Sequence, residues 1–446
     1  IVLLAGINRG YSISPKPSAM SLSTYLAIRA ALGTSRILRI GRFARSIYRG
    51  EPFVADTRVQ WLRIARSDAV VNGSQFFPTV IQLLGSEDDI VSREDSLDLA
   101  AARGTWFKTL AQTNHYDIAA SLDRSGGAEH ETRVMYISQA LTGDLHALEP
   151  DVFEFPPEYR NVTRLVYVMH GIRDYGYWTD IVRRRVEELC TARGEVAAVI
   201  NHKYGYFPML PFIIYGDRQA NVRRFMDDYT ESLSNYPNAR TMDFIGHSNG
   251  TYILASALAH YSTLNVRRVF FAGSVVPKHY PWIEFIRKGR VQQVVNVVAT
   301  RDWVVALFPK LFEQMADWMG RRPIRGWLDI GAAGFRGFLD AGDASGTVTN
   351  INFATGAHST GVEVSNHAKL QGIVAYVVEG DGSQMTPFKT SDTQDGVLDT
   401  LSNASYLVWL GLLGVILGLG WLVLFIWAAP GLAVYAVLVF ALLHSI

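Results

Sequence analysis

The middle of the chain alternates short apolar runs with longer amphipathic segments. Apolar runs of strand length occur at residues 164–171, 196–202, 241–247, 266–274, 291–300 and 347–356. Segments with helical periodicity occupy about 177–193, 217–235 and the residues after 248. Near-continuous apolar strands separated by helices predict a mostly parallel sheet with helices on both faces. The pattern therefore indicates an α/β fold, in which function collects at the carboxyl ends of the strands.

The end of the chain is uncharged. From Ala404 to Ile446 there is no Asp, Glu, Lys or Arg, and the turn-like sequence AAPG separates residues 405–427 from a second apolar run. The first run is long enough, at ~1.5 Å per residue, to cross a hydrocarbon layer of ~30 Å. We expect two transmembrane helices in 404–446 that anchor the protein in a membrane, with a buried core hairpin as the alternative. The Gly-, Ser-, Thr- and Asp-rich residues 381–403 predict a flexible linker.

The first 150 residues parallel a later part of the chain. The segments LLAG, LLGSEDDIV and LAQTNHYD begin at residues 3, 83 and 110, and they resemble FFAG, VVATRDWVV and FATGAHST, which begin at 270, 297 and 353. This register pairs Asp88 with Asp302 and His115 with His358, as an internal repeat would. We expect 1–150 to be the C-terminal half of a first unit and 151–380 to be a second unit. The chain opens on an apolar strand without an initiator methionine, so we expect a fragment whose first unit has its nucleophile upstream of residue 1.

Composition narrows the function classes. The formal net charge of +1, from 42 basic and 41 acidic residues, offers no global reason to expect a nucleic-acid partner. Cys190 is the only cysteine, which excludes an intrachain disulfide and multi-cysteine metal sites. It lies in a helical pattern and is interpreted as a packed thiol. No phosphate-binding loop or metal-ligand spacing is evident, so we expect neither cofactor nor metal.

One short stretch carries candidate chemistry. Residues 243–261 read DFIGHSNGTYILASALAHY, in which Ser248 stands between Gly246 and Gly250 after an apolar strand and before a helix. In such a G-x-S-x-G turn the glycines let strand and helix approach closely while the hydroxyl is presented at the sheet edge. We interpret Ser248 as a catalytic nucleophile; a structural strand-to-helix turn is the alternative.

A nucleophilic serine needs a base, and the base needs an orienting acid. His358 follows an apolar strand and is the preferred base over His367, which begins the next helix. His247 is adjacent to Ser248 and should point away from it. Asp302 ends the strand at 291–300 and is interpreted as the acid, with a solvated loop acid as the alternative.

Negative charge develops on the carbonyl oxygen during acyl transfer and needs hydrogen-bond donors. The strand RLVYVMHG ends in His170 and Gly171, and glycine there allows the next backbone amides to turn into the cleft. We expect the amides of Ile172 and Asn249 to form the oxyanion hole, the latter at a helix N-terminus.

Taken together, Ser248, Asp302, His358 and the His170–Gly171 pair resemble the α/β-hydrolase superfamily of serine esterases and lipases, over residues 160–380 and in truncated form over 1–146. The resemblance implies an α/β-hydrolase fold and a serine hydrolase that cleaves a small-molecule or lipid ester at a membrane. In the first unit it leaves only the vestigial candidates Asp88 and His115. The alternatives are an acyltransferase with the same triad and a non-catalytic, membrane-anchored scaffold.

Overall fold

The protein consists of two compact units. The structure, a computed structural model, describes residues 1–12, 23, 26–27, 30–31, 42–96, 105–118, 128–151, 157–172, 177–201, 209–342, 346–380, 382–385 and 387–445. The first unit comprises Ile1–Asn161 with Arg223–Pro237, and the second comprises Val162–Val222 with Asn238–Ile446. The sequence suggests a boundary at residue 150, whereas the contacts divide the chain at Asn161 and assign part of a later helix to the first unit.

The first unit is built on a three-stranded parallel sheet in the order β1-β2-β3. Its strands are Val2–Leu4 (β1), Val80–Gly85 (β2) and Thr105–Leu110 (β3). Its helices are Arg42–Ser46 (α1), Pro52–Ala65 (α2), Asp68–Val71 (α3), Arg93–Ser96 (α4), Ala128–Thr142 (α5) and Leu145–Leu148 (α6). Buried Ile81, Leu83 and Phe107 of the sheet share one core with Ala140 and Leu148 from α5 and α6.

The second unit contains a six-stranded sheet in which all pairs are parallel. Its strands are Arg164–Met169 (β4), Ala197–Asn201 (β5), Thr241–His247 (β6), Val266–Ala272 (β7), Val291–Ala299 (β8) and Val348–Ala354 (β9). They lie in the order β5-β4-β6-β7-β8-β9. The chain runs outward from β4 to β5 and then returns to the other side of β4. The direction of winding therefore reverses between β4 and β6, and a crevice at such a switch point is where ligands bind in open α/β sheets.

Helices connect these strands. They are Tyr177–Ala192 (α7), Met209–Ile213 (α8), Tyr215–Asn235 (α9), Asn249–His260 (α10), Trp282–Arg287 (α11), Trp303–Trp318 (α12), Ala333–Arg336 (α13), His367–Glu379 (α14), Gly396–Asn403 (α15) and Ser405–Ser445 (α16). Strand β4 is buried at every position, as a central strand with both faces covered requires. On one face, Val182 and Val186 of α7 and Ile373 and Val377 of α14 join the core of the sheet. The predicted α/β fold with parallel strands is confirmed.

A charge network lies at the amino-terminal ends of the central strands. Asp243 on β6 is fully buried, and its Oδ1 accepts a hydrogen bond of 2.9 Å from Nε of Arg267 on β7. Arg164 on β4 lies 3.7 Å from the other carboxylate oxygen and donates to the carbonyl of Val378 near the end of α14. The carboxyl end of α14 is the negative end of its helix dipole, which also stabilises these arginine cations. The network joins three strands and one helix at the edge opposite the candidate site.

The segment before the apolar C-terminus is ordered where it is described. Composition predicts a flexible linker over 381–403, whereas Phe388 and Ser402 are buried and α15 occupies its last turns. Arg336 of α13 forms an ion pair with Asp399 of α15, and Gln314 of α12 donates to the Ser402 carbonyl. These contacts hold the segment on the second unit.

Helix α16 is apolar and largely exposed. The stretch Ser405–Leu442 is long and apolar enough, by length and composition, to cross a membrane. Its backbone departs from helical geometry at Ala428, with φ 54° and ψ −159°, inside the AAPG sequence that predicts a turn.

We expect Asp243→Ala to destabilise the protein by about 3–5 kcal/mol, because it leaves Arg164 and Arg267 without their shared buried partner. Chemical denaturation of the detergent-solubilised protein measures the loss. The matched control is Glu284→Ala, which breaks a fully exposed i,i+4 pair with Lys288 and should leave the free energy of unfolding nearly unchanged. Equal losses in the two variants would contradict a structural role for the network.

Candidate active site

Ser248 occupies a strained turn between strand β6 and helix α10. Its backbone has φ 52° and ψ −119°, which is unusual for a residue with a side chain and costs of order 1–3 kcal/mol. Its amide donates a hydrogen bond of 3.0 Å to the carbonyl of Ala272 at the end of β7. The residue is only 4% exposed, so the hydroxyl lies in a closed environment. Strain of this kind persists where the surrounding structure enforces it, and it is concentrated at functional sites.

The two flanking glycines are required by close approach. A Cβ on Gly250 would lie 2.6 Å from the carbonyl oxygen of Met169 on β4. A Cβ on Gly246 would lie 2.7 Å from the Phe244 ring and 3.3 Å from the Thr251 amide of α10. All three distances are shorter than ordinary van der Waals contact. The glycines therefore allow α10 to start directly against β4 and β6.

Asp302 and His358 form a hydrogen-bonded pair. The imidazole Nδ1 lies 2.9 Å from Oδ2 and 3.0 Å from Oδ1 of Asp302, which is fully buried. The same carboxylate accepts the Val305 amide at 3.0 Å and thereby caps α12. A carboxylate oxygen can only accept, so Nδ1 of the imidazole is the donor in this contact. The structure thus brings together the predicted acid and the predicted base in the orientation that general-base chemistry needs.

Ser248 and His358 meet consecutive residues at the end of β7. The Ser248 amide binds Ala272, and a Cβ on the following Gly273 would lie 2.8 Å from Cε1 of the His358 ring. Gly273 has φ 55°, so both its backbone and its missing side chain are needed there. The sequence indicates FFAG only as part of the repeat and does not reveal this role of Gly273. Among the described residues, no hydrogen bond joins the Ser248 hydroxyl to the imidazole of His358.

The rival histidines have other contacts. Nε2 of His247 donates to the backbone carbonyl of His358 at 3.2 Å, and the two rings are 4.9 Å apart. His247 thus supports the loop that carries His358, a contact that sequence reasoning did not foresee. Nδ1 of His367 accepts a hydrogen bond of 2.8 Å from Arg185 on α7, so its ring is held there by a charged donor.

The end of β4 lies directly against the serine. A Cβ on Gly171 would be 2.6 Å from the Ser248 Cβ and 3.2 Å from its Oγ. His170 is buried, and its Nδ1 donates to the Gly171 carbonyl at 2.8 Å. Ile172 follows immediately, and Asn249 is the first residue of α10, whose opening amides have no intrahelical acceptor. The two predicted donor residues are therefore the direct neighbours of Gly171 and Ser248.

The side chain of Asn249 is a polar group in need of a partner. It is 1% exposed, and neither Nδ2 nor Oδ1 is hydrogen-bonded to a described residue. An unsatisfied buried polar group costs about 1–3 kcal/mol. From the sequence, only the backbone amide of this residue is expected to take part in the site.

Helix α10 is anchored by a buried charge pair. The Tyr252 hydroxyl donates to Oδ2 of Asp329 at 3.0 Å, and Arg218 donates to Oδ1 at 3.0 Å. Burial raises the pKa of Asp329 to about 6, while the neighbouring Arg218 acts in the opposite direction. Because Tyr252 lies one turn after Ser248, this network holds the helix that presents the serine.

The first unit contains a similar acid–histidine pair. Nδ1 of His115 lies 3.0 Å from Oδ2 of Asp88, and Oδ1 of Asp88 accepts the amides of Ile90 and Val91. Asp88 follows β2 and His115 follows β3, as Asp302 and His358 follow β8 and β9. The two residues that the repeat pairs with the second-unit acid and base are thus also in contact with each other.

Other candidate chemistry is absent from the part of the chain that the structure describes. Cys190 is fully buried on α7, and burial raises the pKa of its thiol, which opposes nucleophilic reactivity. No group of three or more His, Cys, Asp or Glu side chains in the described ranges is placed to hold a metal ion.

Comparison with known proteins assigns no family. No protein-family model matches the chain, and no curated protein matches it. Among solved structures, it is similar to a crystal structure of an uncharacterized protein from Bacillus cereus ATCC 10987, with 15% identity and a TM-score of 0.25. The match covers 44% of this chain and spans 61% of the length of that protein. A likeness of this size indicates neither the fold nor the activity.

We expect Gly250→Ala to destabilise the second unit by about 1–3 kcal/mol, because the new methyl group would push α10 away from the Met169 carbonyl. Chemical denaturation measures the change. Gly216→Ala is the matched control, since Gly216 lies in α9 with nothing near its missing Cβ, and alanine there should be neutral or stabilising by about 0.5–1 kcal/mol. A stable Gly250→Ala variant would show that the turn does not depend on this contact.

Proposed function

We propose that the protein is a membrane-tethered serine hydrolase that cleaves a carboxylic ester of a lipid or another acylated compound through an acyl-enzyme. The observation that carries this proposal is the convergence of a strained Ser248 with the Asp302–His358 pair on Ala272 and Gly273. The convergence occurs at the carboxyl ends of β6 and β7, beside the switch point between β4 and β6.

The first half of the reaction forms the acyl-enzyme. Ser248 Oγ attacks the ester carbonyl and gives its proton to Nε2 of His358, while Asp302 stabilises the imidazolium through Nδ1. The imidazolium then protonates the departing alcohol as the carbon–oxygen bond breaks. The attack requires Oγ to come within hydrogen-bond reach of Nε2. Such bonds are often long in unliganded enzymes and tighten when substrate binds.

The second half returns the free enzyme. Water loses a proton to His358, attacks the acyl-serine, and releases the carboxylic acid while the serine regains its proton. In both halves negative charge develops on the carbonyl oxygen. The backbone amides of Ile172 and Asn249 stabilise this charge by donating hydrogen bonds to the oxygen. The contact between Gly171 and Ser248 supports this assignment, because it brings the end of β4 against the attacking oxygen.

The α/β-hydrolase resemblance agrees with this chemistry. In that superfamily the order along the chain is nucleophile, acid and histidine, each after a strand of a parallel sheet. Here Ser248 follows β6, Asp302 follows β8 and His358 follows β9. We therefore include the α/β-hydrolase fold in the proposal.

Two membrane spans form the second part of the proposal. The Tyr435 hydroxyl donates a hydrogen bond of 2.8 Å to the Ile416 carbonyl, 19 residues earlier. In an uninterrupted helix these residues would be roughly 28 Å apart at 1.5 Å per residue. The non-helical backbone at Ala428 and the contact of the Tyr435 ring with Gly420 support a chain that turns back on itself. The tight turn gives a hairpin whose two helices pack together in the bilayer.

We expect Ser248→Ala to abolish labelling by a fluorophosphonate and ester hydrolysis, because it removes the nucleophilic oxygen. His358→Ala and Asp302→Asn should each lower kcat by about 10⁴-fold through loss of the base or of its orientation. Gel-based labelling and an ester panel of increasing chain length measure both effects.

The matched control is His115→Ala, which removes the corresponding first-unit histidine and should leave labelling and hydrolysis unchanged. Persistent labelling of Ser248→Ala would disprove the assignment of the nucleophile. Complete absence of labelling in the native protein would support a non-catalytic scaffold.

A tag fused after Ile446 should lie on the same side of the membrane as the second unit, since a hairpin returns the chain to its starting side. Protease protection in sealed vesicles measures this, with a tag inserted at Gly382, before α16, as the reference. Opposite accessibility of the two tags would indicate a single crossing.

A further inference from the structure

Helix α12 joins the candidate site to the apolar C-terminal helix. It begins directly after Asp302, and its other residues contact the start of α16. The Trp409 indole donates to the Leu307 carbonyl at 2.9 Å, and its ring lies 5.2 Å from that of Phe308. The Trp318 ring lies 5.3 Å from that of Tyr406. These contacts fix the direction of α12 relative to α16.

The contacts run in opposite directions along the two helices. Leu307 and Phe308 of α12 contact Trp409, whereas Gln314 accepts a hydrogen bond of 2.6 Å from the Ser405 hydroxyl and Trp318 contacts Tyr406. The far end of α12 therefore lies beside the start of α16. If α16 crosses a bilayer, this end lies near the point where the chain enters it.

The surface at the far end of α12 has the chemistry of a membrane interface. Trp318 is 63% exposed, and the residues that follow it include exposed Met319, Arg321, Arg322 and Trp327. We call these five residues the interfacial patch. Tryptophan is concentrated at membrane–water interfaces, and arginine near a bilayer is attracted by anionic lipids.

The charge balance of this surface is positive. Asp317, next to the interfacial patch, lies 3.9 Å from the Lys278 ammonium, so its charge is countered. At the opposite end of α12, Trp303 is 61% exposed beside the buried Asp302. Exposed indole rings at both ends of α12 are unusual for a soluble surface, where tryptophan is mostly covered.

We propose that the interfacial patch docks on the anionic surface of the bilayer that holds α16, and that the substrate is an ester lipid of that bilayer. The proposal rests on the proposed hydrolase function. Its basis is the position of the interfacial patch beside the start of α16, together with the exposed indole rings and basic side chains of the patch. Helix α12, which begins directly after Asp302, connects the interfacial patch to the candidate site.

A fluorescent dye on one cysteine tests the docking without using activity. Cys190 is buried, so the native chain serves as the labelling background for Met319→Cys and Lys288→Cys. Both positions are exposed, and Lys288 lies on α11, outside the interfacial patch. The full chain is reconstituted in phosphatidylcholine vesicles with and without phosphatidylglycerol. We expect brominated lipid to quench the dye at 319 at least about five-fold more than the dye at 288, most strongly with phosphatidylglycerol.

Equal quenching at the two positions, or free access of aqueous iodide to the dye at 319 in both kinds of vesicle, would overturn the proposal. Free access would leave the interfacial patch available to a protein partner instead. Because this measurement requires no catalysis, it separates a failure of docking from a failure of the proposed hydrolase function.

Charge reversal tests the substrate class. In the same vesicles, Arg321→Glu combined with Arg322→Glu should lower turnover of a fluorogenic diacyl glycerolipid at least about five-fold, the effect of removing one interfacial basic charge. Hydrolysis of soluble p-nitrophenyl acetate should not change. Arg287→Glu, an exposed arginine of α11, is the matched control and should alter neither reaction. Cleavage of the soluble ester without cleavage of the glycerolipid would overturn the substrate class while leaving the hydrolase intact.

Discussion

Close backbone contact at the carboxyl ends of β4, β6 and β7 is the constraint on which the rest of the second unit depends. Three glycines permit it: Gly171 against Ser248, Gly250 against β4, and Gly273 against the imidazole of His358. Any Cβ at these positions would overlap its neighbour. Glycine is therefore required for the strands, helix α10 and the loop after β9 to approach one another this closely. The site is therefore a product of backbone packing, and the polar side chains occupy the positions that this packing leaves.

The parallel sheets, the order of elements and the Asp302–His358 contact could be predicted from the sequence, because each depends on local pattern. Apolar runs mark buried strands, and residues directly after parallel strands share one edge of the sheet. The role of Gly273 could not be predicted, since it depends on a distant loop that reaches the end of β7. The contacts of Phe388 and Asp399 with the second unit could not be predicted either, because polar composition does not reveal the partners of these side chains.

The repeat connects sequence and structure more closely than the individual motifs do. Short segments with limited similarity place Asp88 and His115 in the same relation to β2 and β3 as Asp302 and His358 have to β8 and β9. Strands β1-β2-β3 are parallel and lie side by side in chain order, as the last three strands of the larger sheet, β7-β8-β9, also do. The two units share this topology but differ in loop length. The sequence similarity of the repeat is therefore limited to the strand ends, where geometry restricts the choice of residues.

Each carboxylate of the two acid–histidine pairs has a second task. Asp302 caps α12, and Asp88 accepts hydrogen bonds from two successive amides of its own turn. Each acid therefore stabilises the local backbone as well as contacting a histidine ring. Such a pair can persist without a catalytic role, because removing the acid would also remove the hydrogen bonds that hold the backbone next to it. Its presence alone thus says little about whether chemistry occurs nearby. In the later half of the chain the pair lies close to Ser248, whose strained backbone is a feature that concentrates at functional sites.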